Sequence, residues 1–116
     1  RSGTPAYMPP EAVRGDAMDG RADIYALGCV AYYLLTGLMV FEADTGLKMI
    51  ASHLQTVPVR PSKRAKVKVP EDLEDLIMSC LEKKPEDRPA GAHEIRKMLK
   101  AMSANAWTQA DALAWW

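Results

Sequence analysis

The sequence contains little of what marks metal sites or disulfide frameworks. Of its 116 residues only two are cysteine and two are histidine. Cys29 and Cys80 lie far apart, without a C-x-x-C motif or a histidine at ligand spacing, which excludes a zinc site or a disulfide scaffold. A reducing, cytoplasmic setting is therefore expected. His53 and His93 stand alone, so we expect both to be helix-surface or packing residues rather than metal ligands or acid–base groups.

The sequence also lacks net charge, because 15 basic and 15 acidic side chains cancel. No overall field would attract nucleic acid or an acidic membrane, so no nucleic-acid partner is expected. One basic cluster lies between residues 58 and 70, without interleaved aromatic residues. This pattern favours a solvated loop over a phosphate-binding or docking surface. The cluster consists of Arg60, Lys63, Arg64, Lys66 and Lys68.

Only one stretch is apolar enough to suggest a membrane span. Residues 24–41 contain few polar side chains and reach the lower limit of length for crossing a bilayer. Thr36-Gly37 is a helix-stop signal within the stretch, and charged residues flank both ends without the usual asymmetry. We therefore predict a buried central helix and no membrane segment.

Apolar periodicity predicts five helices and no strand. Pro9-Pro10-Glu11 suits the first turn of a short helix, where proline does not remove a hydrogen bond. The apolar helix is expected from about residue 22 to residue 36, with Gly37 ending it in the left-handed conformation. A third helix is expected to begin at the Asp44-Thr45 cap and to end before Pro58.

Two more helices are expected after the loop at residues 58–70. The fourth helix begins with acidic residues in 71–75, and Lys83 and Lys84 are expected in its last turn, so that both ends match the helix dipole. The fifth is expected over about residues 91–102, with a weakly encoded start. Length and pattern together predict a single all-α domain.

Four spaced motifs resemble parts of the serine/threonine protein kinase domain. Residues 3–8, Gly-Thr-Pro-Ala-Tyr-Met, resemble the end of the activation segment, and residues 9–11, Pro-Pro-Glu, resemble the Ala-Pro-Glu motif after it. Residues 23–28, Asp-Ile-Tyr-Ala-Leu-Gly, resemble the start of the family's F helix. Residues 85–89, Pro-Glu-Asp-Arg-Pro, resemble the loop between its last two large helices. The resemblance covers about residues 1–103.

The resemblance implies the helical C-terminal lobe of the protein-kinase-like fold, whose parent is α+β. In the family a glycine-rich loop, a nucleotide-binding lysine, the catalytic-loop aspartate and an Asp-Phe-Gly motif come earlier in the chain, and none of them occurs in this sequence. We therefore expect a kinase fragment truncated within the activation segment, whose missing partners are the N-lobe and the catalytic loop.

The activity implied for the parent is phosphoryl transfer. It would use ATP and Mg²⁺ to phosphorylate serine or threonine of protein substrates. Because the resemblance places the catalytic and nucleotide-binding motifs upstream, no catalytic residue and no metal ligand is expected here. The fragment alone is expected to bind no cofactor and to be inactive.

The same resemblance gives the first motif a substrate-binding role. Gly3, Thr4, Pro5, Tyr7 and Met8 correspond to the loop that receives the substrate residue following the phosphoacceptor. Thr4 matches the threonine typical of the serine/threonine class, and tyrosine-specific relatives usually carry proline there. The apolar Pro5 and Met8 indicate an uncharged pocket. An ordinary Gly-Pro turn is the alternative.

Other residues resemble structural positions. Glu11 and Arg88 correspond to an ion pair between carboxylate and planar guanidinium, although two solvated side chains would fit the residues equally well. Asp23 corresponds to an aspartate that holds the catalytic-loop backbone, while its position alone predicts only a first-turn residue. Gly28 indicates close helix packing. Ser2 is a candidate phosphorylation site.

The resemblance divides the chain into a kinase-like part, residues 1–103, and a Trp-rich tail, residues 104–116. All three tryptophans, Trp107, Trp115 and Trp116, lie in this tail. Similar tails follow kinase domains of the bacterial type, and so many large apolar side chains need a surface to pack on. A severed piece of a longer helix fits these residues equally. A stand-alone helical interaction module and a pseudokinase remnant remain open as other functions.

Overall fold

The structure, a computed structural model, describes the backbone of residues 7–115 and the side chains of residues 7–103. Within this range the α-helices are α1 (Pro10–Arg14), α2 (Gly20–Thr36), α3 (Gly46–Gln55), α4 (Glu71–Cys80) and α5 (Ala92–Trp115). Short 3-10 turns lie at Pro61–Lys63 and Pro85–Asp87. No strand occurs in residues 7–115, so the predicted all-α class is confirmed.

Local capping chemistry explains where the helices begin. Pro10 is the first residue of α1, where its missing N–H costs nothing. Asp19 caps α2, since its Oδ1 accepts the N–H of Arg21 at 2.9 Å. The helix therefore begins at Gly20 rather than near residue 22, because Asp19 accepts an N–H group of the first turn. Thr45 caps α3 as predicted, and its Oγ1 accepts the N–H of Lys48 at 3.1 Å.

The helix ends agree with prediction at α2 and disagree at α4. Gly37 ends α2 with a φ of 75°, a left-handed conformation that favours glycine. Helix α4 ends at Cys80, because the chain turns at Leu81 and buries that side chain. Lys83 and Lys84 therefore lie beyond the last turn of α4, and the prediction that they match its dipole was wrong.

Lys83 instead contacts the C-terminal end of α3. Its Nζ donates to the carbonyl oxygen of Ser52 at 3.1 Å and lies 4.7 Å from the centre of the Phe41 ring. A cation is favoured at the carbonyl end of a helix and over the face of an aromatic ring. Lys83 thus ties the α4–α5 connection to α3.

Helix α2 supplies the centre of the core. Tyr25, Cys29 and Tyr32 on α2 pack in one buried cluster whose other members are Val40, Phe41, Met49, Ile77 and Leu81. A second cluster joins α2, α4 and α5 through Ile24, Leu76, Cys80 and Ile95. The free cysteines Cys29 and Cys80 are both buried. The core therefore depends on α2 packing against α4.

Helix α2 is the predicted central helix, but only one of its faces is buried. Leu27, Val30 and Leu34 remain 47%, 39% and 77% exposed, so the helix has one buried face and one open apolar face. Among the residues that the structure describes, none of the helices combines the length and apolar content needed to cross a bilayer.

The basic loop at residues 58–70 is less solvated than predicted. Arg60 donates to Glu74 at 2.9 Å and also pairs with Asp75, while Arg64 donates to Glu42 at 2.8 Å. Pro61 and Val69 are buried, so the loop packs against the rest of the protein. This packing places both arginines next to these carboxylates. The prediction of a solvated loop was therefore wrong for Arg64, whose side chain is 17% exposed, whereas Arg60 is paired but still 41% exposed. The exposed members of the cluster are Lys63, Lys66 and Lys68.

Helix α5 is longer than predicted. It continues without a break past residue 103 to Trp115, although periodicity suggested an end near Met102. The side chains of the three tryptophans lie outside the described residues. The division into residues 1–103 and 104–116 stays a prediction, and it does not coincide with an interruption of the helix.

Gly28 lies where α2 packs against the end of α4. A Cβ added there would lie 2.8 Å from Cβ of Cys80 and 3.1 Å from Cδ2 of Leu81. Alanine normally favours a helix over glycine by about 1 kcal/mol. Here the methyl group would collide with buried side chains, so the packing cost outweighs that gain.

We expect Gly28→Ala to lower the free energy of unfolding by about 1 to 3 kcal/mol, because overpacking in a filled core costs about this much. Urea denaturation followed by circular dichroism measures the change. Gly20→Ala is the matched control, since a Cβ at Gly20 has no neighbour within 4 Å. Equal stabilities of the two variants would contradict this account of Gly28.

Candidate functional site

The candidate site lies where the first described residues enter α1. Tyr7 and Met8 precede the helix and are partly buried, while Pro9 and Pro10 are buried. Four of the predicted substrate-site or phosphorylation residues lie outside the described residues: Ser2, Gly3, Thr4 and Pro5. The structure therefore describes only the end of the predicted substrate loop.

An open cleft of about 380 Å³ lies beside this segment. It brings together Tyr7, Met8 and Asp23, which were separate predictions from the sequence. The other lining residues are Pro9, from the Pro-Pro-Glu motif, and five that the sequence analysis did not single out: Ala12, Gly15, Asp16, Met18 and Ala22. The wall is mainly apolar, with the exposed carboxylates of Asp16 and Asp23 at its edge. Such a surface suits an uncharged side chain flanked by polar groups.

The cleft rests on an ion pair between Glu11 in α1 and Arg88 after the 3-10 turn Pro85–Asp87. Nη1 and Nη2 of Arg88 donate to the two carboxylate oxygens of Glu11 at 2.7 and 2.8 Å. The Arg88 side chain is fully buried and that of Glu11 is 4% exposed. The two residues that the sequence analysis paired are therefore in bidentate contact, and the alternative of two solvated side chains does not apply.

Backbone carbonyls accept the remaining donors of Arg88. Nε donates to Glu82 at 2.8 Å, Nη1 to Arg21 at 2.8 Å and Nη2 to Lys83 at 3.3 Å. All five N–H groups of the guanidinium therefore have an acceptor. One side chain joins α1, the first turn of α2 and the α4–α5 connection.

The protonation of Glu11 follows from this contact. Burial alone would raise the pKa of its carboxyl, but the hydrogen bonds and positive charge of Arg88 outweigh burial and lower the pKa below its usual value of 4.5. Glu11 is thus ionised at neutral pH, and the buried charges compensate each other. Removing only one member of such a pair lowers stability, because the other charge is left buried without a partner.

Tyr25 packs against the guanidinium of this pair, a contact that no local sequence pattern predicts. The Arg88 guanidinium lies 4.8 Å from the centre of the Tyr25 ring. The Tyr25 hydroxyl is 2.5 Å from Nδ1 of the buried His53, whose ring packs edge-on against Phe41. His53 is therefore a packing residue, one of the two roles expected for it. Only tertiary packing brings α2 and α3 together here.

The two other predicted structural residues occupy different environments. Asp23 is an exposed residue in the first turn of α2 and faces the cleft. Gly28 allows α2 to approach α4, as the Cβ distances above show. Among the described residues, neither Asp23 nor Gly28 forms a hydrogen bond with Glu11 or Arg88.

No metal site is formed by the part of the chain whose side chains are described. Residues 7–103 contain no group of three or more histidine, cysteine, aspartate or glutamate side chains that could hold a metal ion. These residues therefore do not fit an Mg²⁺ site, and no catalytic step through a metal or nucleotide is derived from them.

Removing either partner of the ion pair should destabilise the fold. For Arg88→Met or Glu11→Gln we expect a loss of about 3 to 5 kcal/mol in the free energy of unfolding, because the remaining group stays buried without its partner. Urea denaturation of the variants gives this number. Arg14→Gln is the control, since the Arg14–Asp16 pair is exposed and should contribute at most about 1 kcal/mol.

The double variant Glu11→Leu/Arg88→Met tests the coupling. It should be more stable than Arg88→Met alone, because no buried charge is then left uncompensated. Additive losses in the double variant would contradict a mutual pair.

The lowered pKa of Glu11 also predicts a dependence of stability on pH. Between the folded-state pKa and 4.5 the unfolded chain binds more protons, so stability should fall as pH falls through this range. Glu11→Gln removes this contribution. The difference in unfolding free energy between wild type and Glu11→Gln should therefore be constant above about pH 6 and shrink towards pH 3. A difference independent of pH would contradict the shift.

Comparison with known proteins agrees with the motifs. Residues 1–101 match the family model described as the protein kinase domain. The chain is similar to the serine/threonine-protein kinase pkn3 of Myxococcus xanthus, with 41% identity over 101 residues, which are 86% of this chain and 18% of that protein. It is 39% identical over 94 residues to the serine/threonine-protein kinase PknB of Mycobacterium leprae, covering 81% of this chain and 15% of PknB.

A third relative is the serine/threonine-protein kinase Pkn1 of Myxococcus xanthus, 44% identical over 104 residues, or 88% of this chain and 15% of that protein. The chain thus spans less than a fifth of the length of these curated relatives. The family match over residues 1–101 and the all-helical fold with its Glu11–Arg88 pair lead to one assignment. The chain belongs to the protein kinase family and corresponds to its helical C-terminal lobe.

Proposed function

We propose that this chain is the substrate-docking and scaffold part of a serine/threonine protein kinase that transfers the γ-phosphoryl group of ATP to proteins. The observation that carries the proposal is the buried bidentate pair of Glu11 and Arg88. It fixes the start of α1, and hence Tyr7 and Met8, at the edge of the cleft. Phosphoryl transfer depends on such positioning, because the reacting groups must be held in line.

In this proposal the cleft receives the substrate residue that follows the phosphoacceptor. Gly3, Thr4, Pro5, Tyr7 and Met8 form its loop. The partly buried Met8 and the apolar wall favour an uncharged side chain, because a charged one would lose hydration against them. Asp16 and Asp23 remain at the solvent edge and favour basic residues elsewhere in the substrate.

In this proposal Thr4 underlies the preference for serine or threonine as the phosphoacceptor. Ser2, in the same segment, is a candidate phosphorylation site. Both assignments rest on the resemblance of residues 3–8 to the activation segment. The names of the relatives, all serine/threonine-protein kinases, support the same specificity. A phosphate on Ser2 would add negative charge and new acceptors next to Arg1.

ATP and Mg²⁺ would serve the whole enzyme and be bound by other parts of it. Asp23 would then hold the catalytic loop, and Gly28 would keep α2 close to α4 beneath it. Protein substrates are the proposed partners, with no role for nucleic acid. The proposed location is the cytoplasm, in keeping with two buried free cysteines.

The test compares two proteins with the same substrates. The full-length enzyme that carries this segment should phosphorylate serine and threonine peptides in the presence of ATP and Mg²⁺, and should leave matched tyrosine peptides unmodified. The 116-residue chain alone should show no transfer. Phosphotransfer by the isolated chain, or transfer to tyrosine, would overturn the corresponding part of the proposal.

A variant of the cleft tests the substrate role. Met8→Asp in the full-length enzyme should raise KM at least about tenfold for peptides with an apolar residue after the acceptor, since an uncompensated charge then faces that residue. Met98→Asp, at an exposed methionine of α5 that does not line the cleft, is the matched control and should leave KM unchanged. A full-length protein that binds its partners but never transfers phosphate would favour the interaction module or the pseudokinase.

A further inference from the structure

Helix α5 carries a line of exposed histidine, arginine and lysine side chains. The exposed members of this line are His93, Arg96, Lys97 and Lys100. The last three lie three, four and seven positions after the first. Because residues at these spacings share one face of an α-helix, the four side chains form a single stripe. We call it the basic stripe of α5.

The basic stripe faces solvent, because the opposite side of α5 packs on the core. Ile95 is 7% exposed and belongs to the cluster that joins α2, α4 and α5, and Met102 packs against the same cluster. Positions 95 and 102 are seven residues apart and therefore lie on one side of the helix, roughly opposite the stripe.

The cations of the stripe are not neutralised within the protein. Among residues 7–103 no carboxylate lies within ion-pair distance of Arg96, Lys97 or Lys100. The two arginines of the basic loop differ in this respect, since Arg60 and Arg64 are both paired. The stripe therefore presents its full positive charge to the surroundings.

The backbone of α5 extends this line beyond Lys100. The helix continues without a break to Trp115. Steps of three and four residues lead from position 100 to positions 104, 107, 111 and 115. Positions 107 and 115 are tryptophan and position 111 is aspartate. Positive charge is thus concentrated in the first half of the line and tryptophan in the second. At a rise of about 1.5 Å per residue, the line from position 93 to position 115 is about 33 Å long.

We propose that this line of α5 binds the surface of an anionic lipid bilayer. Lysine and arginine are attracted to acidic headgroups, and tryptophan prefers the interface between headgroups and acyl chains. A long straight line of such residues matches a planar surface that is negatively charged along its whole length. Because the net charge of the chain is zero, the attraction comes from this face alone.

The binding would be peripheral and reversible. The helix would lie along the bilayer rather than cross it, because its other side is packed against α2 and α4. Each lysine or arginine near an anionic surface strengthens binding by about fivefold, so the three cations together supply about a hundredfold. The tryptophan positions add the second signal that lasting attachment requires. The proposal does not depend on the proposed kinase function.

The experiment is to sediment the 116-residue chain with vesicles of phosphatidylcholine alone or mixed with phosphatidylserine. We expect the partition coefficient to be about a hundredfold higher for the anionic vesicles. It should fall as salt is raised from about 0.1 M to about 0.5 M, because salt screens the attraction between exposed charges. Equal binding to both kinds of vesicle would overturn the proposal, since it would assign the lipid contact to apolar side chains.

The triple variant Arg96→Gln/Lys97→Gln/Lys100→Gln tests the stripe itself. All three side chains are exposed, so the fold should be retained, and circular dichroism checks this. Binding to the anionic vesicles should fall by about a hundredfold.

The matched control is Lys63→Gln/Lys66→Gln/Lys68→Gln, which removes the same charge from exposed lysines of the basic loop. It should lower binding by less than about threefold, because screening limits the reach of charges outside the contact. Equal losses in the two triple variants would show that net charge, and not the stripe, determines binding.

Tryptophan fluorescence tests the second half of the line. All three tryptophans lie in residues 104–116, so their emission reports on this segment alone. With anionic vesicles it should shift to shorter wavelengths in the wild type and stay unchanged in the stripe variant. Unchanged emission of bound wild type would contradict the proposal. Binding to soluble poly-glutamate but not to anionic vesicles would also overturn it and would assign the stripe to an acidic protein.

Discussion

A buried guanidinium must find acceptors for its five N–H groups, and Arg88 finds all of them inside this fold. Two are the oxygens of Glu11, and the others are backbone carbonyls of α2 and of the α4–α5 connection. Because these acceptors come from three separate segments, one side chain determines how the segments lie relative to one another. The shape of the cleft beside Tyr7 and Met8 therefore depends on this arrangement.

The two faces of α2 have different physical roles. One face, with Tyr25 and Tyr32, supports the ion pair and fills the core, and the absence of a side chain at Gly28 lets α4 pack close by. The other face leaves Leu27 and Leu34 in contact with water. Apolar surface of this kind favours association with further protein.

Much of the fold could be predicted from sequence, because helices are encoded locally. Apolar patterns together with proline and capping signals predicted each α-helix of the described residues, and Thr45 and Gly37 act as the cap and stop that their residue types suggest. The motif resemblance paired Glu11 with Arg88. What could not be predicted depends on long-range packing: the contact of Tyr25 with His53, the carboxylates that bind Arg60, and the attachment of Lys83 to α3. No local pattern encodes these contacts.

The Glu11–Arg88 contact also constrains the order in which the chain folds. It joins residues 77 positions apart, whereas α4 and α5 are close neighbours in sequence. Closing so long a loop has a large entropic cost that is recovered only when the surrounding acceptors are already in place. We therefore expect the helices to associate first and the segment around α1 to dock last. The segment proposed to bind substrate would then be the last to become ordered and the first to open.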